Sequence, residues 1–276
     1  MDTLTLQAHA KLNLYLDIDG ILDGGYHSLD MIMASVSCAD IVTVRLRKDK
    51  DVSVIMDGKA GDKDNSAYKA AKLVADSCGV GMDVTIIKRI PFCAGMGGSS
   101  ADSAAVLKAA QKMLDIDDTK ALDMALKCGS DVAYMMCGGI MRARGRGEIL
   151  ERIDGLEAMY DKHIVIAQLC GGASTAEVYA EYDNLGIRGI NNFDKALSDM
   201  RDNNFSKGLY NALTIPAAKL CPSIINTLYT LKVYSSAVSM TGSGSAAFAI
   251  FDDIYYAKKC YDAIKGFKYK SIVHLV

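Results

Sequence analysis

The sequence has no excess of charge of either sign, no tryptophan and no long apolar run. Its 276 residues carry 31 Lys and Arg against 33 Asp and Glu, a formal net charge of −2, so no basic face is indicated and nucleic acid is not an expected partner. No apolar stretch reaches the roughly 18 residues that a membrane-spanning helix needs, so no membrane partner is expected. The first residues, Met1 to Leu4, lack the regions of a signal peptide, and a cytoplasmic location is expected.

Paired metal-ligand spacings are also missing. The eight cysteines include no C-x-x-C pair, and the four histidines include no H-E-x-x-H. Cysteines scattered in this way are typical of buried free thiols rather than of a zinc site or a disulfide framework. The sequence therefore predicts no dedicated protein metal site.

Half of the residues are hydrophobic and 23% are charged, as in an ordinary globular protein. A chain of this length builds one large domain or two small ones. Strand patterns and helix patterns are mixed along it, with connections of both kinds, so the predicted class is α+β rather than a doubly wound parallel sheet. The expected division gives an N-terminal domain over residues 1–155 and a C-terminal domain over residues 156–276.

Alternating and helical patterns predict the individual elements. Predicted strands cover residues 3–8, 12–18, 41–46, 52–56, 83–88, 138–143, 148–153, 163–169, 235–240, 246–251 and 270–275. Predicted helices cover residues 66–77, 99–113, 119–128, 174–182, 191–202, 205–212, 216–231 and 253–265. The charged stretch 47–51 is expected to be a hairpin tip, and Asp64, Asn65 and Ser66 are the N-cap candidates of the first helix.

The chain is organised around a glycine-rich stretch from Ile90 to Ala105. A β-branched run precedes it and an alanine-rich helix pattern follows, an order that predicts a strand, a turn and a helix start. Main-chain N–H groups at a helix start lack intrahelical partners and carry the positive end of the dipole, so this loop is a candidate phosphate site; a tight turn without a ligand is the alternative. Gly98 stands where a P-loop has lysine, and Ser100 where a dinucleotide loop has its third glycine, so neither template fits.

Two charged residues are candidates for chemistry. Lys11 lies in a strand pattern with Asn13 on the same face; it is either an edge-strand lysine with its ammonium in water or a cation that neutralises charge in phosphoryl transfer. Asp131 follows a predicted helix end at Gly129; it is either the N-cap of the next turn or a base for an attacking hydroxyl.

Two turns offer further candidates. Tyr26 and His27 follow the turn at 23–25; they are either a surface pair or groups that stack on a nucleobase and bind its edge. The loop from Thr241 to Ser245 separates two strand patterns and, taken alone, is a bulge or a hairpin turn.

Together these motifs resemble those of the GHMP kinase superfamily. They are A-K-L-N-L at 10–14, P-x-x-x-G-M-G-G-S-S-A at 91–101, G-S-D-V at 129–132 and T-G-S-G at 241–244. The resemblance spans residues 8 to about 251 and implies a GHMP kinase fold of two subdomains with a deep cleft between them, ATP with Mg²⁺, and a small-molecule alcohol as acceptor. D-G-G-Y-H at 23–27 is similar to members whose substrate carries a cytidine diphosphate, and a kinase of the homoserine or mevalonate class is the alternative.

The resemblance implies roles for single residues. Asp131 would be the base for the substrate hydroxyl, with Lys11 beside it. No acidic residue matches the magnesium ligand of the mevalonate-type kinases, and Met96 replaces the commoner leucine. The implied ATP-binding residues are Pro91, Gly95, Met96, Gly97, Gly98, Ser99, Ser100 and, at adenine, Asn65. The implied substrate-binding residues are Asn13, Tyr26, His27, Tyr179, Gly242 and Gly244, with the two tyrosines as walls of a cytosine pocket.

The motifs also bear on other classes of function and on the state of the chain. A nucleotide-binding protein without catalysis is disfavoured because both Lys11 and Asp131 are present. A dinucleotide-dependent oxidoreductase is disfavoured because of Ser100. The chain is expected to act as a monomer or a weak homodimer on a small-molecule substrate and ATP.

Overall fold

The computed structural model describes residues 2–276, so Met1, the first residue of the predicted N-terminal domain, lies outside it. The described residues contain strands and helices mixed along the chain, which confirms the α+β class. The strands are β1 Thr3–Ile21, β2 His27–Arg47, β3 Val52–Met56, β4 Lys59–Ala60, β5 Gly81–Ile87, β6 Ile140–Gly145, β7 Ile149–Arg152, β8 His163–Gln168, β9 Tyr210–Asn211, β10 Val238–Met240, β11 Ala247–Phe251 and β12 Tyr269–Val273. The helices are α1 Ser66–Cys78, α2 Gly98–Leu114, α3 Asp118–Cys128, α4 Ser130–Cys137, α5 Thr175–Asn184, α6 Phe193–Arg201, α7 Phe205–Gly208, α8 Thr214–Leu220, α9 Ser223–Lys232 and α10 Ile254–Ala263.

The described residues form two compact units. The first unit takes the chain up to Ala10, Cys38–Ile90 and Gly97–Gly138, and the second takes Lys11–Ser37, Pro91–Met96 and Gly139–Val276. Each unit is therefore assembled from segments that are distant in sequence. The division after residue 155 stays a prediction.

The first unit is a sheet covered by helices. Its strands lie in the order β4, β3, β5, β2, with β3 parallel to β5 and the end of β2 antiparallel to β5. Helix α1 packs against α2, and α2 also packs against α3 and α4. The buried faces of α1 and α2 are made mostly of alanine, whose small side chain lets helix axes come close.

The charged stretch after β2 differs from the prediction. Because β5 lies between β2 and β3, residues 47–51 are not a hairpin tip. Asp83 on β5 adds side-chain links among the three paired strands: it accepts a hydrogen bond from Ser53 on β3 at 2.6 Å and from Arg47 at the end of β2 at 2.9 Å. Charge and alternation predict that strands occur, but not which strands pair.

The second unit contains a four-stranded antiparallel sheet in the order β10, β11, β8, β12. Helices α9 and α10 pack against it. Their common core consists of Val165, Ala167, Leu231, Ala247, Ala249, Phe251, Ala257, Cys260 and Ile264. Elsewhere in this unit β6 pairs with the first half of β2 and with β7, and β9 runs parallel to β1 at Tyr15.

Several predicted boundaries were wrong. The two predicted strands at 3–8 and 12–18 are one strand, because the small buried residues Ala8 and Ala10 continue the extended backbone. The predicted helix 216–231 is two helices separated at Pro222, which has no N–H to continue a helix. Helix α4 was not predicted, and within residues 2–276 no helix is long and apolar enough to cross a bilayer.

The cysteines are free thiols, as predicted, but most are not buried. Among the eight cysteines, which all lie within residues 2–276, only Cys260 is fully buried, while Cys93, Cys137 and Cys170 are exposed. The prediction of burial was wrong for these three because they lie in loops or at a helix end rather than on an inward face.

Candidate active site

Helix α2 begins directly at the glycine turn, as predicted. Gly97 is its N-cap residue, with φ of 70°, a conformation that favours glycine, and no side chain caps the helix. The N–H groups of Gly98, Ser99 and Ser100 therefore have no intrahelical carbonyl to donate to. With the positive end of the helix dipole, these groups suit an anion such as a phosphate.

A buried charge cluster lies behind this helix start. The Lys88 ammonium donates to Asp102 Oδ2 at 2.7 Å and to Asp40, and the three side chains are 7%, 6% and 0% exposed. Asp40 Oδ1 also accepts from the main-chain N–H groups of Arg89 and, at 2.8 Å, Ile90. Asp102 lies in the second turn of α2, so the cluster joins the end of the chain before the glycine loop to the helix after it.

The cluster holds two carboxylates for one ammonium. Burial raises the pKa of Asp102 to about 7, and the Lys88 ammonium only partly offsets this effect. Asp102 Oδ1 is buried and accepts no hydrogen bond from the described residues. The signal in the sequence was an aspartate inside an alanine-rich helix pattern, and the role of Asp102 was not predicted from it.

Two predicted residues of the first unit lie at helix starts. Asn65 is the N-cap of α1, since its Oδ1 accepts from the N–H of Ala67 at 2.8 Å, and its contact with adenine stays a prediction. Asp131 lies in the first turn of α4, whose N-cap is Gly129, so the capping alternative for Asp131 is wrong. Among the described residues of the first unit, no hydrogen bond or ion pair engages its partly buried carboxylate.

In the second unit, Lys11 is buried rather than an edge-strand lysine. It is 5% exposed, its N–H donates to the Met96 carbonyl at 3.0 Å, and its ammonium donates to Asn13 Oδ1. The main-chain N–H of Asn13 donates to Thr241 Oγ1 at 3.0 Å. The motifs that contain Lys11, Met96 and Thr241 are therefore brought together in this unit.

The loop between β10 and β11 is a hairpin connection, and it also packs against the segment that enters the glycine loop. A Cβ on Gly95 would lie 2.1 Å from the Thr241 carbonyl oxygen, and one on Gly242 would lie 2.6 Å from the Gly95 carbonyl oxygen. Two main-chain hydrogen bonds join the segments: the N–H of Ser245 donates to the Cys93 carbonyl at 3.1 Å, and that of Ala246 to the Ala94 carbonyl at 3.3 Å. Gly95 and Gly242 therefore allow two backbones to approach more closely than side chains would permit.

Gln168 supports the same segment and was not predicted. Its amide lies at the end of the apolar strand β8 and is fully buried. Its Nε2 donates to the carbonyls of Phe92 and Cys93, each at 3.1 Å, and lies 3.1 Å from Ser245 Oγ. A single polar residue closing a run of apolar ones was the available signal.

Of the predicted substrate-binding rings, His27 and Tyr179 lie in contact, and Tyr26 packs instead against Arg146. His27 Nε2 lies 2.8 Å from Asp183 Oδ1, and its ring lies 4.8 Å from that of Tyr179 at an interplanar angle of 31°. Tyr26 is half exposed, with the Arg146 guanidinium 3.8 Å above its ring. Asp183 was missed, although Tyr179 and Asp183 are four residues apart and so share one face of α5.

The donor atoms of the site offer little to a resident metal ion. Among residues 2–276, no group of three His, Cys, Asp or Glu side chains is placed to hold one. The first turn of α2 presents the hydroxyls of Ser99 and Ser100 and no carboxylate. Such a set fits Mg²⁺ only when the phosphates of a nucleotide and water supply most of the ligands.

Comparisons with known proteins cover the whole chain. The family models described as GHMP kinases N terminal domain and GHMP kinases C terminal match residues 65–140 and 187–270. A 4-diphosphocytidyl-2-C-methyl-D-erythritol kinase of Clostridium botulinum (strain Eklund 17B) is 35% identical over 95% of this chain and 96% of its own. A kinase of the same name from Alkaliphilus metalliredigens is 32% identical over 100% and 97%. The crystal structure of a 4-(cytidine 5'-diphospho)-2C-methyl-D-erythritol kinase superposes with a TM-score of 0.81, at 26% identity and 99% coverage of both chains.

Proposed function

The chain belongs to the GHMP kinase family, and on that premise we propose that it transfers the γ-phosphoryl group of ATP to the 2-hydroxyl of 4-diphosphocytidyl-2-C-methyl-D-erythritol. This reaction is a step of the non-mevalonate route to isoprenoid precursors. The observation that carries the proposal is the full-length identity of 35% to a kinase of that name. It favours this substrate over those of the homoserine and mevalonate kinases.

Asp131 is the proposed base for the substrate hydroxyl. Its carboxylate is not occupied by a partner within its own unit, and it lies at the positive end of α4, which favours a negative charge there. A base of this kind takes the proton as the oxygen attacks the γ-phosphorus, and the bond from that phosphorus to the β-bridging oxygen breaks as ADP leaves. Lys11 is the proposed cation that stabilises the charge on the transferring group.

The start of α2 is the proposed phosphate site. The N–H groups of Gly98, Ser99 and Ser100 would donate to phosphate oxygens, with the Ser99 and Ser100 hydroxyls beside them. Mg²⁺ would enter bound to ATP and neutralise part of the phosphate charge. Asn65 stays the proposed contact of adenine.

His27 is the proposed reader of the cytosine edge. The Asp183 carboxylate can only accept hydrogen bonds, so it holds the proton of the neutral imidazole on Nε2 and leaves Nδ1 as an acceptor. An acceptor binds the exocyclic amino group of cytosine and repels the carbonyl that uracil has at the same position. The pair therefore supports selection of cytidine over uridine, with Tyr26 and Tyr179 as the flanking aromatic groups.

A substrate panel tests the reaction. We expect ADP release to be fastest, in kcat/KM, with 4-diphosphocytidyl-2-C-methyl-D-erythritol, compared with mevalonate, homoserine and galactose. Faster turnover of any of the other three would contradict the proposed substrate. Asp131→Asn should lower kcat by about 10²–10⁴ with little change in nucleotide affinity, while Asp123→Asn, an exposed carboxylate on α3, should not. Near-normal turnover of Asp131→Asn would remove that residue from the chemistry.

Competition by nucleotides tests the base selection. CMP should inhibit at least about tenfold more strongly than UMP, because the uracil carbonyl offers no donor to the His27 Nδ1 acceptor. Asp183→Asn should reduce this ratio, since an amide holds either tautomer of His27. The control Asp199→Asn removes a carboxylate that pairs with Lys195 on α6 and should leave the ratio unchanged. Equal inhibition by CMP and UMP in the unmodified protein would refute the role of His27.

The cytoplasmic location and the monomeric or weakly dimeric state stay predictions from the sequence. Size-exclusion chromatography with light scattering over a range of protein concentrations measures the oligomeric state.

A further inference from the structure

Two thiols of the second unit lie in contact although 51 positions separate them. Cys170 Sγ is 3.8 Å from Cys221 Sγ, and the Ser223 hydroxyl oxygen lies 2.8 Å from the first sulfur and 3.1 Å from the second. Cys170 is exposed and Cys221 partly so. Nothing in the proposed reaction uses either sulfur.

Both cysteines lie where the backbone is irregular. Cys170 follows β8 and precedes the turn at Gly171 and Gly172, and Cys221 lies between α8 and α9 with φ of −136° and ψ of 84°. A disulfide requires the sulfurs to approach to about 2.05 Å, a closure of about 1.8 Å from their present distance. Cys170 lies outside the ladder of β8, whereas the Cys221 N–H donates to the Ala217 carbonyl at 2.8 Å at the end of α8. The closure therefore needs rotation of both side chains and a shift of the backbone mainly at Cys170.

From this contact we infer that Cys170 and Cys221 are a redox modification site that forms a reversible intramolecular disulfide. Reversible disulfides of intracellular proteins are usually catalytic or redox-sensing rather than structural. The oxidant is a low-molecular-weight disulfide. Cys170, the more exposed thiol, reacts first and Cys221 resolves the intermediate.

The exchange is balanced in atoms and electrons. The Cys170 thiolate attacks one sulfur of the small disulfide, whose S–S bond breaks and releases one thiolate. The Cys221 thiol loses its proton to solvent and its sulfur attacks the mixed disulfide at Cys170, which releases the second small thiolate. Two protein thiols are oxidised, and the small disulfide is reduced to two small thiols by the same two electrons.

The modification site is joined to the glycine loop by hydrogen bonds. The Cys170 carbonyl accepts from Ser245 Oγ at 2.7 Å, and Ser245 Oγ lies beside the Gln168 amide that holds the Phe92 and Cys93 carbonyls. Movement of Cys170 toward Cys221 therefore pulls on the segment that enters the glycine loop. The disulfide is expected to lower kinase turnover, a consequence that depends on the proposed function.

The experiment is to oxidise the full chain with glutathione disulfide, alkylate the remaining thiols and map the peptides. We expect two fewer alkylated cysteines, a peptide pair joined through Cys170 and Cys221, and full reversal by dithiothreitol. Cys170→Ser and Cys221→Ser should each abolish the joined pair, and the control Cys78→Ser should retain it. Absence of the joined pair, or a pair that contains Cys93 instead, would overturn the inference.

Turnover measured on the same samples tests the link to the glycine loop. Oxidation should lower kcat/KM at least about threefold in the unmodified chain and in Cys78→Ser, and should leave Cys221→Ser unchanged. An equal loss in Cys221→Ser would overturn the link. A reduced chain that has no kinase activity would refute the proposed function alone, because the peptide map does not depend on activity.

Discussion

Replacing Lys88 by methionine tests whether the buried cluster behind the glycine loop stabilises the first unit. Methionine keeps an unbranched side chain but removes the ammonium between Asp40 and Asp102. Asp40 keeps the N–H groups of Arg89 and Ile90. Asp102 loses the ion pair at its Oδ2, and its Oδ1 already accepts no hydrogen bond within the described part of the chain.

The expected loss follows from burial. Removing one partner of a buried ion pair costs about 3–5 kcal/mol, a large part of the about 5–15 kcal/mol that stabilises a typical domain. The loss should be smaller at pH 6 than at pH 8. The pKa of Asp102 is already raised to about 7, so at the lower pH the folded chain holds this side chain protonated and buries no unpaired charge there.

Asp102→Asn is the matched variant. A raised pKa in the folded state contributes stability that is fully present below the unfolded pKa of about 3.9 and is lost as the pH rises through about 7. A neutral amide does not have this loss, and its carbonyl oxygen can still accept from Lys88. Asp102→Asn should therefore cost less than about 1 kcal/mol at pH 8, far less than Lys88→Met.

Urea unfolding followed by far-UV circular dichroism measures both variants, since the chain has no tryptophan for fluorescence. Comparable m-values are needed for the free energies of unfolding to be compared. A loss below about 1 kcal/mol for Lys88→Met, or equal losses for the two variants at pH 8, would refute the stabilising role of the cluster.

Three further predictions concern single positions. Gly95→Ala should destabilise the chain by about 2–5 kcal/mol, because a Cβ there would lie 2.1 Å from the Thr241 carbonyl oxygen. The control Gly58→Ala has open space around it and should cost only about 1–2 kcal/mol, from its positive φ. Equal losses of unfolding free energy in the two variants would contradict the close approach at Gly95. Asn65→Ala should lower the free energy of unfolding by about 1 kcal/mol through loss of the α1 cap, and Asn65→Asp should lower it much less. Amide hydrogen exchange in the first turn of α1 measures the difference. Equal exchange in the two variants would argue against the cap. Asp83→Asn should be less stable than the unmodified chain at pH 7 but not near pH 2. Hydrogen bonds from Ser53, Arg47 and Arg45 lower the pKa of Asp83 to about 2, so its contribution to stability is present above about pH 3.9 and is lost as the pH falls through about 2. A difference in stability that is constant with pH would exclude this cause.

The sequence predicted the local elements of the site well. The strand, turn and helix around Gly97 follow from neighbouring residues, because glycine at a positive φ and an alanine-rich pattern both act within one or two turns. Strands β6 and β7 were predicted at 138–143 and 148–153, because the alternation that indicates a strand is also a local pattern. The order of the motifs was sufficient to identify the family.

The sequence did not predict contacts between distant positions. The interpretation of Lys11 depended on burial, which its neighbours leave open, and the structure shows the side chain buried with Asn13. The pairing of His27 with Asp183 joins residues 156 positions apart, and Asp40 and Lys88 are 48 apart. No pattern among neighbouring residues in the sequence indicates which distant residue will be the partner.

What the sequence determined by itself is thus the set of short-range elements and the family of the chain, since periodicity, caps and turn residues act over a few positions. Only the tertiary structure decided which strands pair, which charges are buried together and which cysteines touch. These outcomes depend on how segments far apart in the chain pack against one another, and the energy of that packing is carried by the partners jointly rather than by either segment alone.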